Sequence, residues 1–152
     1  MKIYLATGWN NQHTRSIKDQ LERAGHHVYH FLDSGFELDY NKIVPNLHKQ
    51  DPKLQASLVS HPDVRHAFQS NLDALVKCDV FILAEPCGKG SYMEFGMASA
   101  SGKSTILIVT AEYTLGVMDS AFRYVVTNPI ELAAAVNDVE RIRYNANHRT
   151  ST

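Results

Sequence analysis

The stretch DVFILAEPCGKGSYMEFG, residues 79–96, decides the fold. Apart from Asp79, its residues 79–84 are a continuous apolar run, which is typical of a strand buried on both faces of a parallel sheet. A second run of the same type follows at residues 105–109. Residues 90–101, between the two runs, are rich in small residues and are compatible with a helix. This part of the sequence therefore predicts two central parallel strands joined by a helix.

The same alternation of strand and helix patterns extends towards both ends of the chain. Strands are predicted at residues 2–7, 26–32, 79–84, 105–109 and 122–126, and helices at residues 12–24, 61–78, 90–101 and 129–143. Because strands alternate with helices, we predict an α/β fold, a doubly wound parallel sheet with helices on both faces. Right-handed crossovers then give five strands in the order 2-1-3-4-5.

The length of 152 residues fits one domain, which we place at residues 1–145. Residues 34–62 are polar and contain three of the five prolines, so they are predicted to be an irregular, lid-like insertion with one short helix. Residues 146–152 are predicted to be a frayed tail.

The composition excludes several classes of function. With 44% apolar residues, 20% charged residues and a formal net charge of −1, the chain is neither disordered nor polybasic, so we expect no nucleic-acid or membrane partner. No apolar stretch approaches a membrane-spanning length, and the first residues have no signal-peptide pattern. The two cysteines form no CxxC pair, which favours a reducing compartment. We therefore expect a cytoplasmic protein.

One acidic residue lies where such a sheet binds ligands. In the predicted order the sheet reverses between strands one and three, so the turns after Ala6 and Ala84 open into one crevice. Glu94 follows the glycine-rich second turn at a predicted helix start, where the helix dipole stabilises an ionised carboxylate by about 0.3–1 kcal/mol. An ionised carboxylate can act as a nucleophile. The alternative is that Glu94 only complements the dipole or forms a capping box with Ser91.

Two further polar residues have both a catalytic and a structural interpretation. Tyr4 lies on the first strand at the crevice, where its hydroxyl can bond a carboxylate, but a strand tyrosine more often only packs. Asp73 lies on the polar side of its helix, with Gln69 and Lys77 four residues away on either side. The pattern alone favours an exposed ion pair between Asp73 and Lys77.

Several familiar ligand-binding motifs are incomplete. The run Gly102-Lys103-Ser104-Thr105 precedes a strand instead of following one, so it is not a Walker A phosphate loop. The turn after Ala6 lacks the GxGxxG fingerprint, although Trp9 there can cover a flat ligand ring. The eight histidines show no metal-binding spacing, so we expect no metal site. Cys87 is either a reactive thiolate or a residue that packs in the turn, and the lack of a histidine partner favours packing.

Four short motifs together resemble one enzyme family. They are Tyr4-Leu5-Ala6 with Gly8-Trp9, Asn71-Leu72-Asp73 before Cys78-Asp79-Val80, Met93-Glu94-Phe95-Gly96-Met97-Ala98, and Gly102-Lys103. With these motifs, in order over most of residues 3–109, the sequence resembles the nucleoside 2-deoxyribosyltransferase family, including the related nucleoside-monophosphate N-glycosidases. The resemblance implies a flavodoxin-like, three-layer fold.

The resemblance also implies roles for single residues. Glu94 would be the nucleophile that attacks the anomeric carbon, Tyr4 would position it, and Asp73 would handle the base or its proton. The reaction would be a retaining double displacement through a glycosyl-enzyme intermediate. It would cleave or exchange the base of a (deoxy)nucleoside or a nucleoside 5′-monophosphate, with neither a metal nor an organic cofactor.

One departure from the family concerns the choice between transfer and hydrolysis. Transferases of the family carry an aspartate six residues before the nucleophile to bind a sugar hydroxyl, and this chain has Gly88 there. Hydrolysis of a nucleotide is therefore an alternative to base exchange, because the first turn and the glycine-rich turn offer groups that hold a 5′-phosphate. The expected substrate-binding residues are Gly8, Trp9, Gly88, Lys89, Gly90 and Ser91.

The resemblance has two further implications. Members of the family assemble into dimers or larger oligomers, so we expect a homodimer or a higher homo-oligomer. The missing aspartate and the divergent segment at residues 34–62 also motivate another interpretation, a catalytically silent nucleotide-binding or sensor module of the same fold.

Overall fold

The computed structural model describes residues 1–34 and 51–149, which form a five-stranded parallel sheet between two layers of helices. The strands are β1 (Lys2–Thr7), β2 (His27–Tyr29), β3 (Val80–Ala84), β4 (Ser104–Ile108) and β5 (Tyr124–Val126). Their order in the sheet is β2-β1-β3-β4-β5, and each neighbouring pair is parallel. The predicted fold class and strand order are confirmed.

Five α-helices lie within the described residues. They are α1 (Thr14–Arg23), α2 (Pro52–Ser57), α3 (Pro62–Lys77), α4 (Lys89–Ala100) and α5 (Pro129–Arg149). Short 3-10 helices occur at Phe31–Ser34, Leu58–Ser60 and Val117–Ala121. In this part of the chain, none of the helices combines the length and the apolar character that a membrane crossing requires.

The strands place alternate side chains in two buried clusters, one on each face of the sheet. On β3, Ile82 lies in the cluster covered by α1 and α5, whereas Phe81 and Leu83 lie in the cluster covered by α3 and α4. All three are fully buried, and each such burial contributes about 1.5–3 kcal/mol. The same alternation on β1 turns Tyr4 towards α3 and α4. Tyr4 therefore shares a face of the sheet with the helix that carries Glu94.

The Gly102-Lys103 motif anchors the end of helix α3. Lys103 Nζ donates hydrogen bonds to the carbonyl oxygens of Val76 and Cys78, both at 2.8 Å. A helix leaves its last carbonyls without backbone partners, and a cation near them is electrostatically favourable. The lysine of this motif thus fixes the position of α3 relative to β4.

The second strand is shorter than predicted. A strand is expected at residues 26–32, but β2 ends at Tyr29 and a 3-10 helix follows. The buried His30 explains the difference, because its Nδ1 accepts a hydrogen bond from the backbone N–H of Leu32 at 3.4 Å. Its Nε2 bonds the Thr7 hydroxyl at 2.9 Å. These contacts fold the chain over the end of β1.

Two elements near the C-terminus also differ from the predicted bounds. Strand β5 begins at Tyr124 instead of Phe122, because the Phe122 ring leaves the strand to stack on Phe95 in the core, with 3.7 Å between ring centroids. Helix α5 continues through Arg149, into the segment predicted to be frayed. There the rings of Tyr144 and His148 stack one helical turn apart, at 4.0 Å.

The predicted insertion at residues 34–62 is described only in part. Residues 35–50 lie outside the described residues, as do residues 150–152. Helix α2 follows Asp51, and the Asp51 side chain caps it by accepting a hydrogen bond from the backbone N–H of Lys53 at 2.6 Å. The boundaries of the domain and of its insertion stay a prediction.

Candidate active site

A cavity of about 490 Å³ lies at the carboxyl ends of β1 and β3, between their loops and helices α3 and α4. Its volume is typical of a site for a small molecule. Its place matches the crevice expected where the strand order reverses. The lining residues are Tyr4, Leu5, Ala6, Thr7, Gly8, Trp9, Phe31, Val64, Ala67, Phe68, Ser70, Asn71, Leu72, Leu75, Gly88, Gly90, Ser91, Met93, Glu94 and Met97.

The loops after β1 and β3 are joined by hydrogen bonds around Gly8, one of the residues that line the cavity. The backbone N–H of Gly8 donates to the carbonyl of Pro86 at 3.1 Å. The buried Asn11 amide donates to the carbonyls of Ala84 at 3.1 Å and Pro86 at 3.2 Å. A Cβ atom on Gly8 would lie 2.7 Å from the Pro86 oxygen, so only glycine permits this approach. Gly8 therefore shapes the cavity through its backbone.

Glu94 is half-buried in this cavity and accepts a hydrogen bond from the Asn71 side-chain amide, with 3.3 Å between Nδ2 and Oε1 of Glu94. The Tyr4 hydroxyl lies beside the carboxylate, close enough to lower its pKa. The two groups reach the carboxylate from different elements, β1 and α3.

Glu94 does not lie at the helix start, where the sequence predicted it. Helix α4 begins at Lys89 after an N-cap at Gly88, so Glu94 is its sixth residue and lies in the second turn. The dipole effect is confined to the first turn. The capping box between Ser91 and Glu94 is also excluded, because Ser91 lies inside the helix and its hydroxyl donates to the Thr7 carbonyl at 3.5 Å.

Burial and hydrogen bonding act in opposite directions on Glu94. Burial raises the pKa of its carboxyl, and the hydrogen bonds from Tyr4 and Asn71 lower it; the net result is a raised pKa. Burial, followed by the nearby Glu94 charge, raises the pKa of the Tyr4 hydroxyl far above its usual range. Tyr4 therefore keeps its proton and remains a donor to the carboxylate.

Asn71 and Tyr29 belong to the site although the sequence did not single them out. The Tyr29 hydroxyl donates to Oδ1 of Asn71 at 2.9 Å, and the Tyr29 ring lies 5.2 Å from the Tyr4 ring. A helical wheel carries the signal for Asn71, because it lies four residues before the buried Leu75 and so faces the sheet. Tyr29 has no such local signal.

Asp73 does not join the site. It is exposed and is absent from the cavity lining. Two residues after Asn71 on a helix, its side chain is rotated by about 200° and faces solvent. Its carboxylate accepts a hydrogen bond from Gln69 at 2.7 Å, and among the described residues it forms no ion pair with Lys77. The role in handling the base or its proton that the resemblance implies for Asp73 stays a prediction.

The expected substrate-binding residues divide into two groups. Gly8, Trp9, Gly88, Gly90 and Ser91 line the cavity, whereas Lys89 is exposed and does not. Trp9 is 51% exposed and packs edge-on against Phe31, with 4.7 Å between ring centroids. Together these two rings form an aromatic rim able to stack on a flat ligand.

A second carboxylate cluster lies beside the site, on the other side of α4. Glu85 accepts hydrogen bonds from the Cys87 backbone N–H at 2.7 Å and from the Tyr92 hydroxyl at 2.5 Å. The Tyr92 hydroxyl oxygen lies 2.9 Å from that of Tyr113, which donates to Asp119 at 2.8 Å. Burial, followed by the Glu85 charge, raises the pKa of the Cys87 thiol to about 12. The raised pKa therefore argues against a thiolate role for Cys87 and favours the interpretation that Cys87 packs in the turn.

The sheet order and the half-buried carboxylate at its switch point define a class: a doubly wound α/β protein with a cavity for a small molecule. No protein-family model matches the sequence, and no curated protein matches it either. Solved structures do match. The chain is similar to the 2-deoxyribosyltransferase from Bacillus psychrosaccharolyticus, with a TM-score of 0.65, 16% sequence identity, and coverage of 87% of this chain and 90% of the other.

A second solved structure gives the same result. The chain is similar to the Clostridium botulinum CMP N-glycosidase BcmB, with a TM-score of 0.53, 18% identity, and coverage of 90% of this chain and 99% of that one. At these identities the comparisons establish a shared fold. The resemblance drawn from the short motifs is thus confirmed at the level of the fold.

Proposed function

We propose that this protein is an N-glycosyl enzyme of the nucleoside 2-deoxyribosyltransferase type, with Glu94 as its nucleophile. The observation that carries the proposal is the Glu94 carboxylate, half-buried in a small-molecule cavity, hydrogen-bonded by Asn71 and next to the Tyr4 hydroxyl. The shared fold supports it, because one similar structure is a 2-deoxyribosyltransferase and another is a CMP N-glycosidase.

The chemistry proposed for this site is a double displacement. A carboxylate oxygen of Glu94 attacks C1′ of the sugar, the bond from C1′ to the base nitrogen breaks, and the electron pair stays on the base. A glycosyl ester on Glu94 results. Water or a second base then attacks C1′ and releases the carboxylate, giving net retention of configuration. Tyr4 and Asn71 keep the carboxylate ionised and oriented for the first attack.

The cavity suits a nucleoside or a nucleoside 5′-monophosphate. The aromatic rim of Trp9 and Phe31 can stack on a base. At the start of α4, Gly88 and Gly90 bring backbone amides to the cavity, and amides at a helix N-terminus favour an anionic group. A 5′-phosphate would bind there, and the exposed Lys89 would add only long-range attraction. Cleavage and exchange of the base both use the same first step.

A catalytically silent binding module is less favoured by the same observations. Placing a carboxylate in a partly desolvated cavity carries a free-energy cost, which is why its pKa rises. A module that only binds a neutral base and sugar has no need of such a group, whereas a nucleophile needs it.

The test is the release of free base, measured by chromatography. Nucleosides, 2′-deoxynucleosides and their 5′-monophosphates are incubated with the protein, with and without an acceptor base. We expect release by the wild type and a fall of at least about 10³-fold in Glu94→Gln. The matched control is Glu112→Gln, the same change at an exposed loop position, which should retain full activity.

Two outcomes would contradict parts of the proposal. Full activity in Glu94→Gln would show that Glu94 is not the nucleophile. An absence of release from all substrates would refute the glycosyl chemistry.

Asp73→Asn tests the role implied by the resemblance, and because Asp73 lies outside the cavity we expect activity within about threefold of the wild type.

A further inference from the structure

We propose that Tyr29 is a positioning residue, which acts through Asn71 to present a hydrogen-bond donor to the nucleophile Glu94. The inference rests on the proposed function, and it adds a residue outside the cavity lining to the catalytic arrangement. It is supported by two consecutive hydrogen bonds. The Tyr29 hydroxyl donates to Oδ1 of Asn71 at 2.9 Å, and Nδ2 of Asn71 donates to Oε1 of Glu94 at 3.3 Å.

The chemistry of the three groups fixes the direction of this chain of bonds. An ionised carboxylate only accepts hydrogen bonds, so the group that faces Glu94 must be the NH₂ of Asn71 and not its oxygen. The carbonyl oxygen of the amide then faces Tyr29, which has a hydroxyl hydrogen to give. If the amide were flipped, its oxygen would oppose the carboxylate. The hydrogen bond from Tyr29 stabilises the productive orientation.

The packing of Tyr29 makes it suitable for this task. Its ring is half-buried beside Tyr4, with 5.2 Å between ring centroids, and the Tyr4 ring in turn stacks on Phe81 at 5.4 Å. Tyr29 lies on β2 and Asn71 on α3, so the bond links the edge of the sheet to the helix above it. A side chain held by ring packing loses little further entropy when it makes a hydrogen bond.

The inference predicts a shift in the titration of Glu94. A donor stabilises the charged form of a carboxylate, so loss of a correctly oriented donor raises the pKa. In Tyr29→Phe the amide is no longer held in one orientation, and the acidic limb of the kcat/KM profile should move to higher pH. In Asn71→Ala the same limb should move at least as far. Adding Tyr29→Phe to Asn71→Ala should then change nothing further, because the relay is already broken.

The experiment measures the Glu94 titration directly by NMR of protein labelled with ¹³C at the glutamate carboxyl, with Glu94→Gln for assignment. This readout does not depend on turnover. The matched control is Tyr92→Phe, which removes the hydroxyl of another half-buried tyrosine that is bonded to a different carboxylate, Glu85. We expect the Glu94 midpoint to rise by at least about 0.5 pH units, roughly threefold in the ionisation constant, in Tyr29→Phe and to stay unchanged in Tyr92→Phe.

Two outcomes would overturn the inference. An unchanged Glu94 midpoint in Tyr29→Phe removes the effect itself. A shift that persists when Tyr29→Phe is added to Asn71→Ala shows that Tyr29 does not act through Asn71. If Tyr29→Phe does not fold, wild-type protein still tests the relay, because the Asn71 side-chain NH₂ and the Tyr29 Cζ signals must titrate with the Glu94 midpoint. A shifted midpoint without any base release would refute the proposed function and leave the relay intact.

Discussion

Two carboxylates, Glu94 and Glu85, lie near opposite sides of helix α4, and each has a tyrosine hydroxyl beside it. Glu94 faces the cavity with Tyr4 and Asn71, whereas Glu85 is bonded to Tyr92 and to the backbone of the loop after β3. The chemical groups are alike in the two clusters. Of the two, Glu94 lines the cavity of about 490 Å³ and Glu85 does not.

A tyrosine hydroxyl beside a carboxylate is therefore not by itself evidence of catalysis. The Glu85 cluster continues through Tyr92 and Tyr113 to Asp119, which also accepts from the backbone N–H of Gly116 at 2.6 Å. It therefore ties the loop after β3 to the loop after β4. The Glu94 cluster instead leaves its carboxylate facing the cavity, so the same chemistry serves structure on one side and the proposed reaction on the other.

The largest expected difference is between alanine variants of the two carboxylates. Glu94→Ala should lower kcat/KM for base release by at least about 10³-fold. Glu85→Ala leaves the Tyr92 hydroxyl and the Cys87 N–H without their acceptor and should lower the free energy of unfolding by about 1–3 kcal/mol. Its activity should stay within about tenfold of the wild type. Activity assays and urea denaturation measure the two effects. Retained activity in Glu94→Ala together with a large loss of activity in Glu85→Ala would contradict the proposed role of Glu94.

A smaller difference is expected between two tyrosine variants. Tyr4→Phe removes the hydroxyl beside the Glu94 carboxylate, and because a hydrogen bond to a charged group is worth about 1.5–3 kcal/mol, activity should fall by roughly 10- to 150-fold. Its acidic limb should also move to higher pH, because the ionised form of Glu94 loses a donor. Tyr92→Phe should lower the free energy of unfolding and leave the acidic limb of the pH profile in place. Equal pH profiles for Tyr4→Phe and the wild type would count against the hydrogen bond.

The smallest expected effect is a pH-dependent gain in stability. The folded-state pKa of Glu94 is raised, so between its unfolded value of about 4.3 and that raised value the folded protein binds more protons than the unfolded one. Stability therefore decreases as pH rises through this window. Glu94→Gln does not ionise and should melt at a higher temperature than the wild type at pH 7, with the gain shrinking towards pH 4. A gain independent of pH would contradict the raised pKa.

Much of the fold could be predicted because its signals are local. The apolar run of β3 and the small-residue pattern of α4 are readable in short windows, and the order of the strands follows from crossover handedness. The same topology led to Glu94 and Tyr4, since it brings the ends of β1 and β3 together. The end of β2 was missed because the imidazole of His30, a long-range partner of Thr7, redirects the chain.

The rest of the site could not be predicted because it depends on orientation. Asp73 and Asn71 are neighbours in one motif, but only a helix with a known inward face distinguishes them. The position of Glu94 relative to the helix dipole depended on the first residue of α4, a boundary that propensity does not define to one residue. Tyr29 and the Glu85 cluster involve partners far apart in the chain, for which a single sequence carries no pattern.

The contacts of Asn11 have a consequence for how the cavity forms and is lost. Its amide bonds carbonyls that lie 73 and 75 residues later in the chain. Contacts of such high sequence separation form only after the entropy of closing a long loop has been overcome, so they raise contact order and slow folding. The contacts between the loops after β1 and β3 should therefore form late, after β1 has paired with β3. Partial unfolding that releases β1 should remove the whole site at once, and hydrogen exchange at Gly8 should report that opening.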